Sequence, residues 1–410
     1  MKRRSSPLSS CAAKMAAFGL FATVFSPTVS ADTLGEAFKN GETKFSVRTR
    51  HEGVDQDGFD EDAAATTLRA RLSYSSAAYR GFSLVAEADA VVTIFDEDFN
   101  SGAGTSGADR AQFPVIADPD GSEINQAFLQ YKTGGTALKL GRQRILLDNQ
   151  RFVGGVGWRQ NEQTYDAFSV SSDLNGFKLF GAYVDNVNRI FGGDVAAGDH
   201  DSETILLNAS REFAPGKLTA YYYGIDNNDA AAFSTDTLGL RWNGSTEAMG
   251  PKLAYTLEFA DQKDAANNPI DFDASYWRAD GTIHFRPIRV LAGIETLEGD
   301  ADTAGQAFRT PLATLHAFNG WADTFLATPA AGLQDVFVGA GGKAMGWNWL
   351  IKYHDFETED GEQSLGSEID AQISRKFADH YSVLFKLASF NSDSTIADTD
   401  KFWLQFLASF

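Results

Sequence analysis

The sequence predicts an all-β protein: one antiparallel barrel of about eighteen strands that crosses a bilayer and carries long loops on one side. Three observations predict it. Apolar and polar residues alternate in runs of ~9 to 11 residues, the length of a tilted membrane strand. The connections between these runs are short and long by turns. Beyond the N-terminal region, no apolar run reaches the ~20 residues that a membrane helix needs.

The first residues read as a leader. Lys2, Arg3 and Arg4 form a charged start, Met15 to Phe25 form an apolar run, and Val29-Ser30-Ala31 supplies a small-residue cleavage pattern. This predicts a signal peptide over 1–31 and a barrel domain over 32–410. Leu8-Ser9-Ser10-Cys11 precedes the apolar run, whereas a lipid-attachment box must follow one. Cys11 is the only cysteine, so the exported chain has no thiol for a disulfide or a thiolate metal site. No metal and no cofactor are expected.

Removing Lys2, Arg3, Arg4 and Lys14 leaves 31 bases against 55 acids, a net charge of −24. So acidic a chain repels phosphate backbones, which sets nucleic acid aside as a partner. Aromatic content is high, with 32 Phe, 12 Tyr and 7 Trp, yet the mean hydropathy is −0.24. Alternation reconciles the two, because a barrel strand hides its lipid-facing residues among polar ones.

The alternation is clearest where Leu253, Tyr255, Leu257 and Phe259 enclose Ala254, Thr256 and Glu258. Similar ladders are Leu68-Ala70-Leu72-Tyr74, Phe82-Leu84-Ala86-Ala88 and Trp347-Trp349-Ile351-Tyr353. The pattern places strands at 43–52, 65–76, 82–94, 123–133, 136–144, 163–172, 176–186, 202–213 and 216–226. The second half places them at 234–244, 251–261, 276–286, 288–297, 333–342, 346–357, 366–377, 380–391 and 400–410. An even number suits a bacterial barrel with both termini on one side.

Short junctions fall at Lys132-Thr133-Gly134-Gly135, Asp173-Leu174-Asn175-Gly176, Ala214-Pro215-Gly216, Arg286-Pro287 and Ala378-Asp379-His380. Long ones fall between them at 53–64, 95–122, 145–162, 187–201, 262–275 and 298–332. Outer-membrane barrels sort their connections in this way. The last run, Phe402, Leu404, Phe406, Ala408 and Phe410, ends on an aromatic residue and resembles the signal read by the outer-membrane assembly machinery. The expected location is the cell outer membrane, with its lipids, lipopolysaccharide and assembly machinery as partners.

Strand parity turns Arg48, Arg50, Arg69, Arg71, Lys139, Lys178, Arg241, Arg278, Arg286, Arg289, Lys352 and Lys386 inward. The inward acids are Glu52, Glu87, Asp89, Glu258, Asp280, Glu295, Glu368 and Asp370. The acidic excess therefore lies in loops such as Asp55, Asp57, Asp60, Glu61 and Asp62. Arg48 with Arg50 and Arg69 with Arg71 alternate on two neighbouring strands, faced by Glu87 and Asp89. Such a wall serves either as an anion-selective lining or as a ladder of salt bridges that stiffens the barrel. Asp55-Gln56-Asp57-Gly58 and Asp118-Pro119-Asp120-Gly121 lack the full spacing of a calcium loop.

Leu140-Gly141-Arg142-Gln143, Arg151-Phe152-Val153-Gly154, Trp158-Arg159-Gln160-Asn161 and Tyr165-Asp166-Ala167 together form one motif. A second runs through Thr310-Pro311, Thr314, His316, Phe318-Asn319-Gly320-Trp321-Ala322-Asp323 and Gly332-Leu333. With these the chain resembles the alginate-export porins. The resemblance implies an eighteen-stranded barrel, loops folded over or into the pore, and basic lumen residues that guide an anionic polyuronate such as alginate. It makes Arg142, Arg151 and Arg159 candidates for the pore lining and places His316 and Asp323 near the entrance. Arg142 shares parity with the outward Leu138 and Leu140, so either a bulge at Gly141 turns it inward, the favoured reading, or it sits at the headgroup level. The apolar segment 298–332 is expected to fold over or into the mouth.

A barrel enzyme would need a nucleophile or activated water beside a histidine and an acid. His51, His200, His284, His316, His354 and His380 sit in no such motif, so no catalytic residues are assigned. An adhesin or purely structural barrel is the alternative to a channel. The expected function is an outer-membrane porin for passive or facilitated passage of hydrophilic, anionic solutes.

Overall fold

The computed structural model describes residues 31–106, 110–247 and 250–410. The predicted leader lies outside the described residues except for Ala31. A short helix, α1 (Leu34–Lys39), opens the chain; its capping box joins Thr33 and Glu36. Eighteen strands follow in one sheet. The first nine are β1 (Glu42–Gln56), β2 (Ala63–Ser75), β3 (Phe82–Asp98), β4 (Gly121–Thr133), β5 (Thr136–Gln143), β6 (Thr164–Leu174), β7 (Phe177–Asn188), β8 (Asp199–Phe213) and β9 (Gly216–Ile225). The others are β10 (Thr235–Glu247), β11 (Lys252–Asp264), β12 (Asp273–His284), β13 (Ile288–Leu297), β14 (Leu333–Ala344), β15 (Trp347–Glu357), β16 (Ser364–Phe377), β17 (Tyr381–Ser392) and β18 (Thr399–Ser409).

Every strand pairs antiparallel with its chain neighbours, and β1 pairs with β18 from Ser46↔Ser409 to Gln56↔Thr399. The sheet is thereby closed, which leaves no edge of unpaired N–H and C=O groups inside a bilayer. Each of the eighteen runs read from alternation is a strand. Several extend further than the pattern reached, β1 to Gln56 and β3 to Asp98, because ladder hydrogen bonding continues where the lipid-facing alternation ends.

The outer face is apolar. Leu257 is 54 % exposed on it, while its neighbour Thr256, turned into the lumen, is 9 % exposed. Toward the ends of the strands near the two termini, Phe82 packs on Tyr131, Phe213 on Trp242, and Tyr381 on Phe406 and Phe410. These aromatics form the interfacial girdle of a membrane barrel. On that side two residues suffice to join β4 to β5, β6 to β7, β8 to β9 and β14 to β15. The opposite end carries the long segments 99–120, 144–163 and 298–332.

Two of these segments are packed inside the barrel. Phe152 and Val153 of the first join Phe308, Leu312, Trp321 and Phe325 of the second in one buried cluster with wall residues Tyr165, Tyr221, Tyr276, Phe356, Phe390 and Trp403. The segments are also stitched together by backbone, Gly154 N to Leu312 O at 2.8 Å and Thr314 N to Gln150 O at 3.0 Å. The expectation for 298–332 holds in this respect: the segment folds into the lumen.

Candidate functional site

The site is the partition that segments 144–163 and 298–332 make across the lumen, together with the walls that hold them. Parity carries Arg48, Arg50, Arg69 and Arg71 to the inner face of β1 and β2, and all four are buried there. Arg48 and Arg69 are directly paired, so the four side chains stand on one wall. Segment 144–163 meets this wall with oxygen atoms. Arg48 donates to Gln160 Oε1 at 2.8 Å, to Gly157 O at 2.9 Å and to Arg159 O. Arg50 donates to Trp158 O and, across the barrel seam, to Gln405 Oε1 at 2.8 Å. Arg69 reaches Gln160 O at 3.3 Å.

The lower part of the wall is ion-paired. Arg71 binds Asp89 Oδ1 at 2.6 Å and Glu162 Oε1 at 2.6 Å, and Arg144 bridges Glu162 to Glu87. A bulge in β4 turns Asn125 and Gln126 together toward Glu87, which accepts from Asn125 at 2.7 Å. Asp118, from segment 99–120, joins from above: it accepts from Gln160 N at 2.7 Å and lies 3.5 Å from Arg50. One of the two acidic turns thus joins the partition. Burial alone would push the Glu162 carboxyl up, but Arg144, Arg71 and Arg69 hold it far below the usual carboxylate range.

Segment 298–332 meets the opposite wall with donors. Asn319 donates to Glu295 at 3.2 Å and to Asp335 at 3.3 Å. Trp321 N and Ala322 N both point at Glu368, the latter at 2.8 Å, and Trp321 N also at Asp370, 3.3 Å away. This approach needs Gly320, which has φ +84° and whose added Cβ would sit 2.2 Å from the Glu368 carboxylate. Asn319 and Asp323 on either side also have positive φ, at 53° and 63°. At Asn319 and Asp323, which carry a Cβ, the left-handed backbone is strain that the surrounding contacts must outweigh.

The two segments meet through Arg151 and Arg159. Arg151 binds Glu295 at 2.6 Å and Asn319 at 2.9 Å; Arg159 binds Glu52 at 3.0 Å and Asp323 at 3.1 Å. Asp323 also takes Lys401 at 3.2 Å and His316 Nδ1 at 2.6 Å. Burial would push Asp323 up, but His316, Lys401 and Arg159 hold it well below the carboxylate range. Burial pushes the His316 imidazole down to about 3 although Asp323 pulls it up. A neutral ring fits its partners: Nδ1–H donates to Asp323, and Nε2 accepts from Lys386.

One expectation is sharpened and another corrected. His316 and Asp323, expected near the entrance, have their side chains buried at the junction of the two segments, where the Asp323 carboxylate meets Arg159 and Lys401 and the neutral His316 ring bridges Asp323 and Lys386. Arg142 does not turn inward. Gly141 has φ +119°, yet the β4–β5 ladder stays in register through it, pairing Arg142 with Ala127 on the face of Leu140, which is 61 % exposed. Arg142 instead forms a two-pronged bond with Asp166 at 2.8 and 2.9 Å, near the long-loop end of the outer face. That carboxylate removes the reason for the arginine to seek the lumen.

Glu162, Lys401 and Trp403 were not singled out from the sequence, and Gln160 and Asp118 were named there only within a motif and an acidic turn, without a role in the lumen. Lys401 and Trp403 had a signal, since they alternate with the outward Phe402 and Leu404. Below the partition, on the side of the short turns, lies a cavity of 1630 Å³. Phe318, Asn319 and Phe337 line it together with Arg278, Arg286, Arg289 and Lys352.

The alginate export family model matches residues 94–308, just over half the sequence, from the end of β3 into segment 298–332. The chain belongs to the alginate export family. This alginate export family barrel is closed, antiparallel and eighteen-stranded. OccAB4 of Acinetobacter baumannii superposes with a TM-score of 0.72 at 14 % identity, over 94 % of this chain and 100 % of that one. OccK9 (OpdG) of Pseudomonas aeruginosa gives 0.71 at 13 % identity, over 91 % and 99 %. OpdK of the same organism, solved with vanillate, gives 0.69 at 13 %, over 91 % and 99 %. These likenesses are of fold. No curated protein matches the chain significantly.

Proposed function

We propose that this outer-membrane barrel is a channel for small anionic solutes and that the two inner segments form its selective constriction. The observation that carries this reading is that several lumen cations have no carboxylate partner. Arg48 is buried, yet among the described residues its bonds go only to Gln160 and backbone carbonyls. Arg286 and Arg289 line the 1630 Å³ cavity without an ion pair among the described residues. Fixed positive charge in a confined, low-dielectric channel raises the local anion concentration. Arg50, Arg69, Arg71, Arg151 and Arg159, with Glu87 and Asp89, are proposed as the rest of the lining. Arg71 contributes little net field, since Asp89 and Glu162 offset it. The acidic loops at the far end weigh less, because at 0.15 M ionic strength their field is screened beyond ~8 Å.

Alginate, the solute in the family's description, and vanillate, the ligand in the OpdK structure, are both carboxylates. That shared chemistry suits these cations, whereas chain length or ring type is a separate matter. Reversal potentials across a salt gradient test the reading. The expected result is modest anion preference, reduced in Arg286→Ser/Arg289→Ser, which leaves both inner segments in place. Cation preference in the unaltered barrel would overturn it.

A further inference from the structure

Lys386 projects from β17 into the junction of the two inner segments and is 1 % exposed. Its ammonium group lies 3.7 Å from the Trp321 ring centre, 4.3 Å from that of Trp158 and 5.3 Å from that of Trp403. Its one hydrogen-bond partner among the described residues is His316 Nε2, and no carboxylate stands within ion-pair distance. A buried ammonium is ordinarily paired with a carboxylate. Here a neutral imidazole on a strained loop takes that place.

The surroundings are rich in donors. The indole N–H groups of Trp158, Trp321 and Trp403 are buried without an acceptor among the described residues, as are the Nε–H groups of Arg50 and Arg69. Trp321 and Trp403 are fully buried. Buried donors without acceptors are rare in proteins and call for a cause. Arg50 lies 4.2 Å over the Trp158 ring, which stacks on His316 at 4.4 Å, so these groups are one contiguous cluster. Cations, N–H donors and flat aromatic faces together match a ligand that joins an anionic acceptor to a ring.

We propose that Lys386, Trp158, Trp321 and Trp403 form a binding site for a ring that bears a carboxylate, and that this carboxylate displaces His316 as the acceptor of Lys386. The proposal rests on the reading of the barrel as a channel for anionic solutes and names the group that recognises them. The exchange is favourable because a hydrogen bond to an ionised acceptor is roughly twice as strong as one to a neutral acceptor. His316 keeps its bond to Asp323 but gives up its direct contact with β17, so the solute removes one of the contacts that seat segment 298–332. A lysine already paired with a wall carboxylate could not act in this way.

The test uses the full chain in planar bilayers, with galacturonate, benzoate, acetate or glucose added to one side. Galacturonate or benzoate is expected to interrupt the current for longer than acetate or glucose. Interruption by galacturonate assigns a saccharide ring and interruption by benzoate an aromatic one. Lys386→Met is expected to shorten the interruptions about tenfold, as the loss of one charge-assisted bond implies. Trp403→Phe, which keeps the ring and removes the N–H, should shorten them less and covers the case in which the lysine variant does not assemble. Interruptions equal for acetate and galacturonate, or unchanged in Lys386→Met, would overturn the site. Tryptophan emission of the barrel in detergent, titrated with galacturonate, separates the two readings. A shift in emission with a silent bilayer keeps the site and removes the channel; constant emission with an open, anion-preferring channel does the reverse.

Discussion

Residues 144–163 offer carbonyl oxygens and Glu162 to the arginines of β1 and β2, whereas residues 298–332 offer N–H groups and Asn319 to the carboxylates of β13, β14 and β16. The two segments lie side by side in one lumen and are held by opposite chemistry. An exposed main chain carries donors and acceptors in equal number, so it can seat on either sign of wall charge. Which groups it presents is set by the local turn: positive φ at Asn319, Gly320 and Asp323 places N–H groups in a row, as in the nests that bind anions. The charge pattern of the barrel wall thus selects which loop docks where. A loop docked on the wrong wall would face like with like.

Removing one segment should have the largest effect. Deleting residues 309–325 takes away the donors on the carboxylate wall, the Leu312 contact of Gly154 and the Asp323 partner of Arg159. Single-channel conductance is expected to rise several-fold. An unchanged conductance would mean that the segment stands clear of the permeation path.

Substitutions on the two walls should then separate the loops. Arg48→Ala leaves the carbonyls of Gly157 and Arg159 without their donor, and Glu368→Ala leaves Ala322 N without its acceptor and Trp321 N with Asp370 alone. Each buried group so orphaned costs about 1 to 3 kcal/mol. In limited proteolysis of the intact barrel, Arg48→Ala is expected to expose 144–163 to cleavage first, and Glu368→Ala to expose 298–332. The same cleavage pattern for both variants would show that the segments move as one body.

The smallest effect is that of pH. His316 is held at about 3 in the seated loop, against an ordinary value of 6.5, so the seated loop binds fewer protons than a freed one. Seating is therefore fully favoured above about 6.5 and weakens as pH falls toward 3. Lys386 and Asp323 face the ring directly: the second imidazole proton would go on Nε2, which already accepts from Lys386, so protonation breaks that contact while Nδ1–H keeps donating to Asp323. Current noise is expected to grow over this window in the parent and to be flat in His316→Gln.

The barrel itself was legible because its signal is periodic. Leu257 and Thr256 differ in exposure as alternation requires, and the same rule put Arg48, Arg50, Glu87 and Asp89 inside. What those arginines hold was not legible, since the carbonyls of Gly157 and Trp158 carry no mark in a sequence. Arg142 was misplaced for a related reason. Its partner Asp166 stands in the same motif, but only the β5–β6 register brings the two together. Lys386 could be read as inward, while its tryptophan neighbours come from two loops and another strand, 17 to 228 positions away in the chain.

The pairing of β1 with β18 also has a mechanical side. On one side of that seam, Arg48, Arg50 and Glu52 hold Gly157, Trp158, Arg159 and Gln160. On the other, Trp403 packs against Trp158, and Gln405 accepts from Arg50. The first inner segment therefore works as a buckle across the place where the cylinder is fastened. Hoop tension on the wall is shared by the ladder and by this clasp, so whatever unseats the segment also slackens the joint between the first strand and the last.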